Sequence, residues 1–271
     1  MIQCKWQRKM GGANMVSDQV FSGGVDKLKE TSEIHAACLL LLDCSGSMAD
    51  EQFRDASSDL YPYPIDKLNQ ALEIFHQQAQ ADQTSRNVID VCAITFGGAR
   101  PNIAEEVKVL NEQFVPIGDW TPPTLKAYGR TPLWEALEVA IDIAGKQVEA
   151  CWSEGIETHI PWIVIFTDGI PTDSDNENRV RELIRQANTG TETNQYGHIK
   201  IWIIATRGAD LKVCKSITNR VIAMDDHDYT QIFDWLRKSM VTLTRSKVGD
   251  KISVDMLPEN CRVVQESWVN D

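Results

Sequence analysis

Nine consecutive residues, Ile34 to Leu42 (Ile-His-Ala-Ala-Cys-Leu-Leu-Leu-Leu), are apolar at almost every position and stop abruptly at Asp43. A strand with one wet face alternates apolar and polar side chains. A run that is apolar on both faces needs cover above and below, which identifies the central strand of a parallel sheet layered between helices. The rest of the chain supplies the matching parts. Ile65, Leu68, Leu72, Phe75 and Ala79 recur at three- and four-residue steps and mark one face of a helix. Asn87 to Phe96 reads as a second strand closed by Gly97-Gly98, and a short strand follows around Glu106 to Leu110. Residues 120 to 130 hold too many turn formers to be regular. Thr131-Pro132 then opens a helix with the stripe Leu133, Leu137, Ala140, Ile141, Ala144 and Val148, since proline suits a first helical position.

Ile160 to Phe166 is a third buried strand, ending in Thr167-Asp168-Gly169. Ser174 and Glu177 have capping-box spacing ahead of a helix that runs to about Asn188. Ile199 to Ala205 and Arg220 to Met224 read as further strands, and Tyr229 to Leu243 as a last helix. Strands alternating with helices imply parallel crossovers, hence an α/β fold with a three-layer, doubly wound sheet. A chain of 271 residues is long enough for one such domain. Residues 1–33 read as an N-terminal arm and 34–244 as the domain. Residues 245–271, with short β-type segments at Ile252 to Val254, Val263-Val264 and Trp268-Val269, read as a C-terminal extension able to form a hairpin.

Charge narrows the partners. Thirty-nine acidic against 27 basic residues leave a net charge of −12, which repels phosphate backbones and anionic lipid, so neither nucleic acid nor membrane is expected. The N-terminus has basic residues but no apolar stretch behind them, and no run approaches membrane-spanning length, so a cytoplasmic protein is expected. Seven widely spaced cysteines without a C-x-x-C pattern suggest neither a disulfide framework nor a zinc knuckle.

In a doubly wound sheet, ligands bind where the loops leave the carboxyl ends of the strands. Three such loops carry oxygen donors: Asp43-Cys44-Ser45-Gly46-Ser47, Gly129-Arg130-Thr131, and Asp168-Gly169-Ile170-Pro171-Thr172-Asp173. Each alone also reads as a turn or a helix cap. Together they place two carboxylates and three hydroxyls at one edge, a donor set suited to a hard divalent cation.

These three motifs resemble the metal-ion-dependent adhesion site of a von Willebrand factor A (vWA) domain over roughly residues 34 to 243, and the Thr-Asp-Gly-x-Pro-Thr-Asp form is most similar to bacterial TerY-like proteins of tellurite-resistance and stress operons. The resemblance implies a Rossmann-like vWA fold, mostly parallel with one antiparallel edge strand. It implies Asp43, Ser45, Ser47, Thr131 and Asp168 as the metal set, holding Mg2+ with Mn2+ or Ca2+ as alternatives. It further implies a binding module, not an enzyme, that captures an Asp or Glu of a protein partner, with a PP2C-type phosphatase, a protein kinase or a tellurium-resistance protein as candidate partners. A Mg2+-dependent phosphoester hydrolase, or a scaffold whose metal is purely structural, is the alternative. Three departures stand out: Cys44 in place of a frequent Thr, Arg130 in place of a common Gly, and a long segment from Ala49 to Pro64 expected to overhang the metal edge. Partner choice should then sit on a rim formed by Tyr61, Trp120, Tyr128 and Arg130, because a cation and a carboxylate are common to many complexes.

Overall fold

The computed structural model describes residues 34–98, 106–111, 113–188, 199–246 and 256–264. The arm 1–33, the segments Ile252 to Val254 and Trp268-Val269, and thus most of the expected hairpin lie outside them. In chain order the strands are β1 (Ala36–Cys44), β2 (Ile89–Gly97), β3 (Val107–Val109), β4 (Val115–Pro116), β5 (Trp162–Thr167), β6 (Lys200–Ala205), β7 (Val221–Met224) and β8 (Cys261–Val263). The helices are α1 (Pro64–Ala81), α2 (Gln83–Val88), α3 (Leu133–Ser153), α4 (Glu177–Asn188), α5 (Leu211–Ile217) and α6 (Thr230–Thr244).

One sheet runs in the order β3-β2-β1-β5-β6-β7-β8, with β4 also pairing β2. β1 pairs in parallel with β2 along its whole length, from Ala36 opposite Ile89 to Cys44 opposite Gly97, and with β5 on its other side. All nine residues of β1 are buried, as its unbroken apolar run requires. Alternate residues serve opposite layers. Cys38, Leu40 and Leu42 pack with Leu68, Leu72 and Phe75 of α1 and Phe233 and Leu236 of α6. Leu39 and Leu41 pack with Leu137 and Ile141 of α3, Val180 of α4 and Ile217 of α5. The α/β class and the mostly parallel central sheet are therefore as expected.

Several local readings are corrected. Asn87 and Val88 end α2 instead of opening β2: Asp82 caps that short helix by accepting from Thr84 N at 3.1 Å, and β2 begins at Ile89. Pro132 stands at the N-cap of α3, and the helix starts at Leu133. α5 and the two-residue β4 were not anticipated. Seven residues of mixed polarity give too short a window for a helical period, and Asp210 is what nucleates α5 by accepting from Lys212 N and Val213 N. Antiparallel strands close both sides of the sheet, β3 and β4 against β2 and β8 against β7, where one antiparallel edge had been implied. No helix among the described residues is long and apolar enough to cross a membrane.

Candidate functional site

Asp43 lies on β1 in phase with Leu39 and Leu41, so its carboxylate points into the α3 layer at the carboxyl end of the sheet. It is fully buried. Its Oδ1 accepts from the Ser45 amide at 2.8 Å, and its Oδ2 accepts from the Thr167 hydroxyl, at the end of the neighbouring strand β5, at 2.6 Å. The chain then turns through a 3-10 segment, Gly46–Ala49, that sets the Ser45 and Ser47 hydroxyls 3.0 Å apart. Ser47 donates to Asp168 Oδ1 at 2.7 Å, linking the first loop to the third.

Thr131 joins from the second loop, and Gly169 shows how. A methyl group built on Gly169 would stand 2.9 Å from Thr131 Oγ1 and 3.5 Å from Asp43 Oδ2, so both oxygens border the small space that the glycine leaves open. The second and third loops are laced together: the Thr172 hydroxyl accepts from Thr131 N, and Thr172 N donates to the Thr131 carbonyl, both at 3.0 Å. Asp173 accepts from Trp134 N and Glu135 N at 3.3 and 2.8 Å and so caps α3 from across the loop. The expected capping box at Ser174 is replaced by a 3-10 turn, Ser174–Asn176, ahead of α4. The structure thus gathers all five expected residues at one edge. Gly169→Ala should press on the Thr131 side chain and lower cation affinity about tenfold or more, comparable to losing a partner that orients a ligand; calorimetric titration with Mg2+ checks it.

Burial raises the Asp43 carboxyl above its ordinary range despite hydrogen bonds from Ser45 and Thr167. Burial, and next the nearby Asp43 charge, push Asp168 up to about 7. Asp168 Oδ2 is itself buried and has no hydrogen-bond partner. A buried acceptor without a protein partner, beside a second carboxylate, is costly unless positive charge or a proton meets it. The sign of the consequence is fixed. A carboxyl with a raised pKa in the folded state binds its proton more tightly there, so stability is greatest below the unfolded value and falls as pH rises from about 4 to 7. For Asp168 the full loss is on the order of 4 kcal/mol in metal-free protein. Urea unfolding in EDTA should therefore give a lower midpoint at pH 7.5 than at pH 5, and saturating Mg2+ should reduce that difference.

Sequence reasoning missed two groups near the carboxylates. Thr167 orients Asp43, and Tyr229 is fully buried, with burial and then the Asp168 charge raising its phenol above the usual range. Thr167 stood inside a quoted motif, but Tyr229 comes from a distant segment with no motif around it. Cys44 belongs to the opposite core layer, against α1 and α6, with its thiol raised to about 12 by burial, so it does not face the two carboxylates.

The expected rim needs correction. Trp120 is 4% exposed and packs edge-on against Phe75, with ring centres 6.4 Å apart, because the α1 layer needed a large apolar side chain under that loop. It is core, not rim. Arg130 is held by its own chain, since Nε and Nη2 donate to the two carboxylate oxygens of Glu106 at 3.1 and 2.7 Å. Tyr128 is exposed and Tyr61 half-buried. Leu60 and Ile170, 81% and 60% exposed, are apolar side chains on two loops of this edge that the sequence reading passed over. Within the Ala49 to Pro64 segment Tyr63 Oη donates to Glu51 at 2.5 Å, and Lys67 of α1 ties the segment to the helix by pairing with Asp55 at 2.6 Å.

No family model matches the chain, and no curated protein matches it. Solved structures do. The PilB minor pilin from Streptococcus sanguinis is 14% identical with a TM-score of 0.50, the match covering 79% of this chain and 63% of that one. The pilus adhesin SpaC from Lactobacillus rhamnosus GG, in its open conformation, is 12% identical with a TM-score of 0.55, covering 79% of this chain and 31% of that one. The likeness is one of fold, to pilus proteins. The chain spans less than two thirds of the length of either solved protein. These findings overturn the assignment drawn from the motifs: the chain is not placed in the vWA family or its TerY-like branch, and the tellurite-resistance and stress-response setting is withdrawn with it. The adhesion-site label is withdrawn too, since among the described residues no group of three or more His, Cys, Asp or Glu side chains could hold a metal. The edge cluster has two carboxylates, and its other side-chain donors are hydroxyls.

Proposed function

We propose that this edge binds a hard divalent cation, Mg2+ first and Mn2+ or Ca2+ as alternatives, and through it the carboxylate of a partner protein. One observation carries the reading: Asp168 Oδ2 is buried without a partner beside a second buried carboxylate and the hydroxyls of Ser45, Ser47 and Thr131. Oxygen-only donors suit hard cations, and neutral hydroxyls leave the ion charge to spare for an incoming carboxylate. The cation would be held by Asp43, Ser45, Ser47, Thr131 and Asp168, with Thr167 holding Asp43. Fold likeness to a pilus adhesin and a minor pilin favours a binding role over catalysis.

The test is a comparison of partner capture by native protein and Ser47→Ala in Mg2+ and in EDTA. Capture by native protein in Mg2+ only is expected. Equal capture in all four conditions would defeat the reading, and metal-dependent turnover of a phosphoester that Asp43→Ala abolishes would put a hydrolase in its place. Once a partner is in hand, Leu60→Ser and Ile170→Ser should each weaken the complex by about 1 kcal/mol or more, as apolar contacts around a buried anchor do, while Mg2+ affinity stays constant.

A further inference from the structure

The rim of the cation edge has a charge pattern of its own. Glu135 stands in the first turn of α3, four residues past Thr131. Asp173, on the loop that carries Asp168, accepts from Glu135 N at 2.8 Å, so the second and third loops bring Glu135 and Asp173 to one bank of the edge. Glu106 joins this bank through Arg130, and Glu138, one turn further along α3, pairs with Arg179. Four carboxylates, Glu106, Glu135, Glu138 and Asp173, against two guanidiniums, Arg130 and Arg179, leave the bank two charges negative.

Three of the four carboxylates are occupied. Glu106 holds Arg130, Glu138 holds Arg179, and Asp173 accepts from the amides that open α3, where the positive end of the helix favours it. Glu135 is left over. It is exposed, and among the described residues its side chain accepts no hydrogen bond and forms no ion pair. Partial burial, then the charges of Asp173 and Glu106, raise its carboxyl above the ordinary range, against which Arg130 and Arg179 act as the smaller influences. A carboxylate placed like this gains from a cation that arrives from outside. Asp168, 2% exposed with Oδ2 unpartnered, lies at the same edge and is the acceptor that a divalent ion would satisfy. A partner's carboxylate approaching that ion arrives beside a negative bank. Alone it is repelled within a screening length of about 8 Å; with a Lys or Arg next to it the repulsion becomes attraction.

We infer that the partner segment taken at this edge carries its Asp or Glu beside a Lys or Arg, and that Glu135 selects the basic residue by pairing with it. Metal and carboxylate meet as in the reading above, on which this one rests, and the basic neighbour meets Glu135. The net charge of −12 on the chain acts in the same direction at longer range. Arg130, held by Glu106, does not recruit a second acidic group.

The probe is a phage-displayed library of random heptapeptides with a fixed central Asp, captured at pH 7.5 on native protein in Mg2+ and released with EDTA. Lys and Arg beside the Asp should rise about threefold or more over the unselected library, as an exposed ion pair allows. The rise should vanish on Glu135→Gln, persist on Glu135→Asp, which keeps the charge, and shrink in high salt. Mg2+ affinity of Glu135→Gln, read by calorimetry, should stay at its native value, because Glu135 is outside the cation set. Release by EDTA no greater than by buffer would overturn the cation reading and the selection by Glu135 with it. EDTA-released peptides without basic enrichment, or with equal enrichment on native protein and Glu135→Gln, would overturn the selection alone and leave the cation site standing.

Discussion

Asp43→Ala and Asp168→Ala should each reduce the proposed Mg2+ affinity by more than about 100-fold in a protein that still unfolds cooperatively, a larger loss than the 10- to 100-fold expected for groups that only orient ligands. Each substitution removes one of the two carboxylates at the edge while the two apolar layers stay intact. The effect on stability runs the other way. In EDTA at pH 7.5 the Asp168→Asn protein should be more stable than native, because a buried charge beside Asp43 is replaced by a neutral amide. Titration calorimetry reads the first result and urea unfolding the second. Native-like Mg2+ affinity in both Ala variants would remove Asp43 and Asp168 from the proposed cation set.

Gly97→Ala should cost about 4 kcal/mol or more and lower cation affinity with it. Gly97 sits at the end of β2 with φ of 82°, a conformation that costs an L side chain roughly 1–2 kcal/mol. The added methyl would stand 2.6 Å from Ser45 N, 2.8 Å from the Arg130 carbonyl oxygen and 2.8 Å from the Cys44 carbonyl carbon. All three are backbone atoms, so no side chain can swing away, and strain of this kind belongs to the large tail of mutational effects. The displaced atoms flank Ser45 and Thr131, so the fold and the site are damaged together. Gly145→Ala is the matched control. It lies inside α3 with nothing within 4 Å of its added methyl, and should stabilise by up to about 1 kcal/mol. Equal, small effects at both positions would show that the crossing of loops at Gly97 is not tight.

The layering was legible because burial on both faces leaves a one-dimensional trace. The run from Ala36 to Leu42 cannot face water on either side, and the three- and four-residue steps of α1 and α3 each present one apolar stripe. Two short elements left no such trace. α5 owes its start to two bonds accepted by Asp210, and β4 is two residues that pair only because an edge was there to receive them, whereas β3 falls within the short strand read around Glu106 to Leu110. Trp120 illustrates the limit for single side chains: its neighbours in sequence are turn formers, which read as surface, while its neighbours in space are Phe75 and His76 of α1.

The same division holds at the candidate site. The sequence by itself determined which strand ends carry oxygen donors and that these loops share one edge, since chain order and parallel crossovers dictate which ends converge. Only the tertiary structure decided that Ser47 reaches Asp168, that Gly169 leaves space between Thr131 and Asp43, that Thr167 holds Asp43, and that Glu106 occupies Arg130. The physical reason is range. Periodicity and turn chemistry act over a few residues, whereas the hydrogen bonds from Ser47 to Asp168 and from Thr167 to Asp43 span 121 and 124 positions and exist only once the sheet has brought their strands side by side.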